Sequence, residues 1–226
     1  LSGALPFEAS DFCYKLNAIL PRGIVVHSVL PTTDDFHARF SARERSYTYF
    51  IHRKKDPFVA AYSWQCGFPD LDFEAMNEAC RYLLGTHDFT CFEKTGGANK
   101  TSRCTITEAF WKPYVPTHVQ LMRWPVGAGH DEPVDAHHDE PVDARHDEEV
   151  RHSRLDRESD YWYFRVSADR FLRNMVRAIV GTLIEVGRGK HDPQWVQELI
   201  ATGTRGDAGE SVPGHALFLG RVRYSQ

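Results

Sequence analysis

No run of apolar residues in this 226-residue sequence approaches the ~18 that a membrane-spanning helix needs. Cysteine is sparse and unpatterned. Cys13, Cys66, Cys80, Cys91 and Cys104 are odd in number and form no C-x-x-C pair, which argues against a disulfide framework and a zinc ribbon. Reduced thiols in a cytoplasmic protein are the expectation. Also missing are a phosphate loop, a G-x-G-x-x-G turn, an H-E-x-x-H helix and a G-x-S-x-G elbow. Nucleotide hydrolysis, dinucleotide redox chemistry, zincin proteolysis and the α/β-hydrolase reaction are thereby disfavoured.

A strong excess of one charge is lacking as well, but the total of −4 hides a segregation. Residues 130–152 hold nine Asp/Glu against Arg145 and Arg151, a local charge of −7 that leaves the remaining chain at +3. A mildly basic body is compatible with an anionic partner without demanding one. The acidic segment is a tandem repeat: His130-Asp131-Glu132-Pro133-Val134-Asp135-Ala136-His137 returns as His138-Asp139-Glu140-Pro141-Val142-Asp143-Ala144-Arg145, and a degraded third copy starts at His146. Such a composition cannot bury a core and is expected to stay solvated. Its five histidines invite a metal, yet an unanchored acidic loop has no outer shell to fix ligand geometry, so no metal is expected.

Outside the insert, strand and helix patterns take turns. Residues 41–52 alternate, with Arg45, Tyr47, Tyr49 and Ile51 on one face and Ser46, Thr48 and Phe50 on the other. That pattern reads as a strand. Asp72 can cap a helix whose stripe is Phe73, Met76, Cys80, Leu83 and Leu84, stopped at Gly85. Segments 103–111 and 117–123 read as a strand pair, and 161–168 as a strand beyond the insert. A long helix is expected from Phe171 to Val186, then a short one with Asp192 as cap and Pro193 in its first position. An apolar strand, 216–224, closes the pattern. Strands in pairs with helices between them predict an α+β fold, mainly antiparallel, with helices on one face.

Three constellations could carry chemistry. On the long helix Arg173, Arg177 and Gly181 follow at four-residue steps and would share a stripe beside the core, Gly181 leaving space above Arg177. Arg177 sits among Met175, Val176, Ala178, Ile179 and Val180. Either it is partly buried and needs a carboxylate or phosphate, or it is exposed with its stem on apolar neighbours. Pattern alone leaves both open. Tyr47 and Tyr49, with Arg45 at the end of their face, could form a stacking platform for RNA bases, or lie in the core with hydroxyls at its rim. His37 and Arg39 precede that strand, and Lys94, Lys100 and Arg103 make a basic loop around Gly96-Gly97. Each could bind phosphate or merely be solvated.

The order of short motifs is more specific than any one of them. Leu16-Asn17-Ala18-Ile19-Leu20-Pro21 is followed by Asp35-Phe36-His37-Ala38-Arg39-Phe40-Ser41-Ala42. Arg45-Ser46-Tyr47-Thr48-Tyr49 comes next, then Leu84-Gly85-Thr86-His87-Asp88-Phe89-Thr90. The long helix reads Phe171-Leu172-Arg173-Asn174-Met175-Val176-Arg177-Ala178-Ile179-Val180-Gly181, and the tail Val212-Pro213-Gly214-His215-Ala216-Leu217-Phe218-Leu219. Together they resemble the bacterial tRNA pseudouridine synthase A family over nearly the whole chain except the acidic insert. The resemblance implies isomerisation of uridine to pseudouridine in the tRNA anticodon arm, without cofactor or metal, by a cytoplasmic homodimer with two related α+β halves around a basic cleft. It implies that Tyr47 stacks on the flipped base and shares in proton transfer at C5. Arg177 would pair with the catalytic aspartate, and Leu217 would line the base pocket. His37, Arg39, Arg45, Tyr49, Lys100, Arg103 and Arg173 are the expected RNA contacts.

The family's catalytic aspartate lies in an Arg-Thr-Asp-Ala-Gly motif upstream of Leu16, and these residues contain no such motif. Asp35, Asp88 and Asp169 stand in other contexts. The expectation is therefore a remnant of the first half-domain over 1–34 and a nearly whole second half-domain over 35–226, interrupted by an insertion at 125–158 and inactive by itself. Two alternatives differ in kind: a non-catalytic RNA-binding module on the same fold, and an inherited scaffold whose working part is the acidic repeat. Deleting residues 130–152 tests the latter. RNA affinity and oligomeric state should not change, and a loss of either would make the repeat functional.

Overall fold

The computed structural model describes residues 8–68, 70–94, 96, 101–122 and 159–224. The acidic repeat, the expected insertion at 125–158 and Lys100 lie outside the described residues. The chain forms two compact units that divide between Ala42 and Arg43, so the expected domain limit at residue 34 falls inside the first.

The first unit carries one helix, α1 (Ala9–Ile19). Asn17 closes it onto the following extended segment. Its Nδ2 donates to the Val26 carbonyl and its Oδ1 accepts the Val26 N–H, both at 2.8 Å. Tyr14, Ile19, Leu30 and Phe40 are strongly exposed.

The second unit is a six-stranded mixed sheet with helices, an α+β fold. The path runs β2 (Trp64–Gln65), β1 (Ala42–His52), β5 (Tyr161–Ala168), β4 (Arg103–Pro113), β3 (Gly85–Asp88), and β6 (Leu217–Tyr224) pairs with β1. Only β1 and β2 are parallel among the registered pairs. Trp162, Phe164, Val166 and Ala168 alternate into the core, as a strand with one covered face must. Ile106 and Trp111 both face that core although five residues apart. The register shift between Ile106 and Glu108 explains this, because an extra bulged residue reverses the alternation. Tyr49 and Ile51 of β1 fall on the same covered face.

Helix α2 (Phe73–Arg81) buries Phe73, Met76, Ala79 and Cys80 against it. Its Asp72 cap accepts the Ala75 N–H at 2.9 Å, and Gly85 turns the chain at φ +99°. Of the expected stripe only Leu84 is exposed. Segment 117–123 departs from expectation. Thr117–Met122 is a helix, α3, and β4 pairs with β3 and β5 instead. Pro116 lacks a ladder donor, and its carbonyl accepts the Gln120 N–H at 3.1 Å, which starts a helical turn. The long helix, α4 (Met175–Gly187), begins four residues later than its apolar pattern suggests. Asn174 is left-handed at φ 66°, and a helix cannot run through such a residue. The last helix, α5, is Trp195–Thr202, and Asp192 only forms the turn before it, its carbonyl accepting the Trp195 N–H.

All five cysteines are free thiols, and four are buried. Burial pushes those four up, Cys104 to about 11 and Cys91 to about 12, so they are poor thiolates.

Asp56 ties three segments together. It is 8% exposed and accepts the Tyr161 hydroxyl at 2.6 Å, His118 Nε2 at 2.8 Å and the Phe58 N–H at 2.9 Å. Burial alone would raise its carboxyl, but those donors outweigh it and hold the group below its ordinary value. A depressed folded-state value stabilises the fold above the unfolded value, near 3.9, and that contribution disappears as pH falls through the folded value. Asp56→Asn should therefore be less stable than the parent at pH 7, and the gap should close below about pH 4. Denaturant melts across that range measure it; a gap independent of pH would contradict the assignment.

Candidate active site

The site is assembled by the segment that follows α5. Arg177, in the first turns of α4, donates from Nε to the Val212 carbonyl at 2.5 Å, while its own carbonyl accepts the Val212 N–H at 3.3 Å. One residue on, the Pro213 carbonyl accepts the Tyr49 hydroxyl at 2.8 Å. The guanidinium charge reaches that hydroxyl and lowers its proton affinity, but burial dominates and raises Tyr49 well above the ordinary tyrosine range. Gly214 passes beside the guanidinium. A Cβ there would lie 3.7 Å from Cζ and Nη1, so the glycine leaves that side thinly covered. The Leu217 N–H then bonds back to the Gly214 carbonyl at 3.2 Å, and β6 begins along β1.

Arg177 is partly buried, and its Nε is tied to the main chain at Val212. Among the described residues its side chain makes the single bond from Nε and pairs with no carboxylate. Its two terminal nitrogens form a fork suited to bidentate carboxylate or phosphate binding. A partly buried cation with such an edge is chemically able to take an anion.

Tyr47 is half-buried two residues before Tyr49 on the same face of β1, about 7 Å away by strand rise. Its ring stands edge-on to Phe171, centroids 5.0 Å apart at 86°, which fixes its orientation. Tyr47, Phe171 and Leu217 are each partly buried against the core. Tyr49, in contrast, is wholly buried. It cannot offer a face to a base, and its structural work is the bond to Pro213. Arg45 donates Nη1 to the Asp169 carbonyl at 2.8 Å, and Arg103 is exposed at the start of β4 opposite Asp88. Arg173 is exposed but precedes α4, so it does not share a helical stripe with Arg177. His37 and Arg39 belong to the first unit. There His37 Nδ1 accepts the N–H groups of Arg39 and Phe40 at 3.1 and 3.3 Å, closing a turn.

The aspartates have other work. Asp169 Oδ1 accepts the Thr105 and Arg170 N–H groups at 2.8 and 2.7 Å. Asp88 Oδ1 accepts the Thr90 N–H and hydroxyl, bonds that pull its carboxyl below the ordinary value. The described residues include no cluster of three or more His, Cys, Asp or Glu able to hold a metal.

Sequence reasoning missed what supports Arg177. The space above Gly181 is filled: a Cβ there would run into the Glu210 carbonyl oxygen, and one at Gly209 would meet the Gly181–Thr182 backbone. Two glycines with no turn to make were the signal for this close approach.

Comparison with known proteins places the chain in context. A family model described as tRNA pseudouridine synthase matches residues 79–225. A protein of Parabacteroides distasonis named tRNA pseudouridine synthase A is 39% identical over 94% of this chain and 66% of its own length. The protein of that name from Porphyromonas gingivalis is 38% identical over 97% of this chain and 70% of its own. That from Bacillus licheniformis is 34% identical over 97% and 72%. The chain thus spans about two thirds of the length of these curated relatives.

In an ordinary exposed helix Gly→Ala gains roughly 0.5–1 kcal/mol. Gly181→Ala should do the opposite and cost about 1–3 kcal/mol, since the methyl group must displace the 207–213 segment. A urea melt decides the sign, and a stabilised variant would contradict the close packing.

Proposed function

The chain belongs to the tRNA pseudouridine synthase family, and we propose that it forms the part of such an enzyme that receives the target uridine and orients the catalytic carboxylate in the tRNA anticodon arm. The observation that carries this reading is the guanidinium of Arg177, whose terminal nitrogens meet no carboxylate among the described residues, on the turn that also holds Tyr49, two residues from half-buried Tyr47 on the same strand face. The reaction breaks the bond between ribose C1′ and N1 of the base, turns the base, and joins C1′ to C5. The proton on C5 leaves and N1 gains one, so nothing is consumed. A carboxylate that attacks either sugar or base must stay ionised and aimed. The Arg177 fork does both, favouring the charged form and fixing two oxygens at once.

Since no Arg-Thr-Asp-Ala-Gly motif occurs in these residues, that carboxylate is supplied from outside them, and the 226 residues alone bind tRNA without turning it over. Tyr47, braced by Phe171, takes the face of the flipped base and lies where it can share in the C5 proton transfer. Leu217 gives the base an apolar wall. Unstacking the uridine costs a few kcal/mol, which cationic contacts to the RNA backbone offset. Arg45, Arg103 and Arg173 are candidates for those contacts, as are His37, Arg39 and Lys100. The proposal extends to a homodimer acting in the cytoplasm without cofactor or metal; among the described residues no helix is long and apolar enough to cross a membrane.

Arg177→Ala in the catalytically complete protein should lower the single-turnover rate at least about a hundredfold, the cost of stripping a buried charge of its partner, while tRNA affinity holds. Near-normal turnover would refute the role. Binding to unmodified tRNA should weaken steeply and linearly in log–log form with added salt; a flat response would count against a phosphate-contacting surface.

A further inference from the structure

Beyond the residues that face the substrate, we infer that Asn174, Arg205 and Ser211 are positioning residues that set the direction of the Arg177 fork through the 211–214 turn. The inference rests on the reading of Arg177 as the carboxylate's partner.

One face of α4 carries Arg177 with Ala178 and Gly181 with Thr182 at helical spacing, and Asn174 stands in the turn just before it. At each level the 205–212 segment is laced to it. The Gly209 N–H donates to the Thr182 hydroxyl at 2.9 Å, and that hydroxyl donates to the Ala178 carbonyl at 2.9 Å. Val212 makes the two-way bracket with Arg177. Asn174 Nδ2 donates to Ser211 Oγ at 2.5 Å. Arg205 clasps its own loop, with Nη2 donating to Ser211 Oγ at 2.9 Å and Nη1 to the Gly209 carbonyl at 3.0 Å. Ser211 Oγ thus receives two donors, one from each side of the segment.

Among the described residues, the residue after Ser211 holds the one bond that the Arg177 side chain makes. Rotation about the Ser211 backbone would swing the Val212 carbonyl and with it Nε, so fixing Ser211 fixes the direction in which the two free nitrogens point. Asn174 is also the sole non-glycine with positive φ among the described residues. Such a conformation costs on the order of 1 kcal/mol and persists only where its surroundings hold it. Here the hold is the bond to Ser211. All three side chains are partly buried and meet one another at Ser211 Oγ, one residue before the carbonyl that Arg177 Nε holds.

The test uses the chain itself. In nitrogen-15 spectra the Arg177 Nε–H is identified by its loss in Arg177→Lys, and its exchange with water reports directly on the bond to Val212. Ser211→Ala and Asn174→Gly (which keeps the left-handed backbone and removes the amide) should each speed that exchange on the order of tenfold, the worth of one ordinary hydrogen bond, with Tm nearly unchanged. Arg205→Lys should fall between these and the parent. Unchanged exchange in both Ser211→Ala and Asn174→Gly would overturn the inference. So would a large loss of stability in both without faster exchange, which would make them ordinary structural residues. In the catalytically complete protein the same variants should lower kcat and leave KM in place. The exchange readout does not need turnover: faster exchange in the variants, with no pseudouridine formed by the catalytically complete parent, would sink the function and spare the positioning, and unchanged exchange in the variants of an active parent the reverse.

Discussion

A guanidinium set among apolar helical neighbours must be given acceptors or it will not stay, and the 205–214 segment meets that demand at Arg177 with the Val212 carbonyl. The segment supplies one carbonyl to Nε, and among the described residues no carboxylate meets the two terminal nitrogens. Much else follows from that partial satisfaction. Gly181 and Gly209 have no side chains because the segment must lie against α4 at backbone distance. Tyr49 is sealed in the core because its hydroxyl holds the next carbonyl. The chain then leaves the turn at Gly214 already aligned to pair with β1.

The sheet contributes rigidity and placement. Tyr47 sits on a strand paired along one edge with β5 from Arg45 to His52, and its ring is braced by Phe171, so under the proposed function it would meet a base without reorganising. Preorganisation of this kind raises the share of binding energy available to chemistry. Asp56, on the loop after β1, serves the stability of the frame and lies apart from this chemistry.

How much of this was legible beforehand depends on what range of interaction fixed each part. Asp72, the α2 stripe and the alternation of β1 and β5 were readable because periodicity and capping are local. The chemistry of Arg177 was readable as a question, since its neighbours are apolar in sequence and a buried cation needs a partner. What stayed hidden came from contacts distant in sequence. Asn174 has an ordinary helical context in the chain and is turned left-handed by Ser211, thirty-seven residues on. Gly181 looked like open space because its occupant, Glu210, is remote. Tyr49 and Tyr47 are indistinguishable by alternation, and only the depth of burial separates the structural from the accessible one. Segment 117–123 misled because three apolar residues at mixed spacing fit either period, and Pro116 decided between them.

The central claim is that these residues present an arginine fork and a stacking tyrosine to a uridine but do not themselves carry the attacking carboxylate. The most direct measurement incubates the 226-residue chain with unmodified tRNA, assays the anticodon arm for pseudouridine, and titrates binding in parallel. Salt-sensitive binding without product is the predicted result. Pseudouridine formed by this chain alone would contradict the account, since one of its own carboxylates would then be the nucleophile.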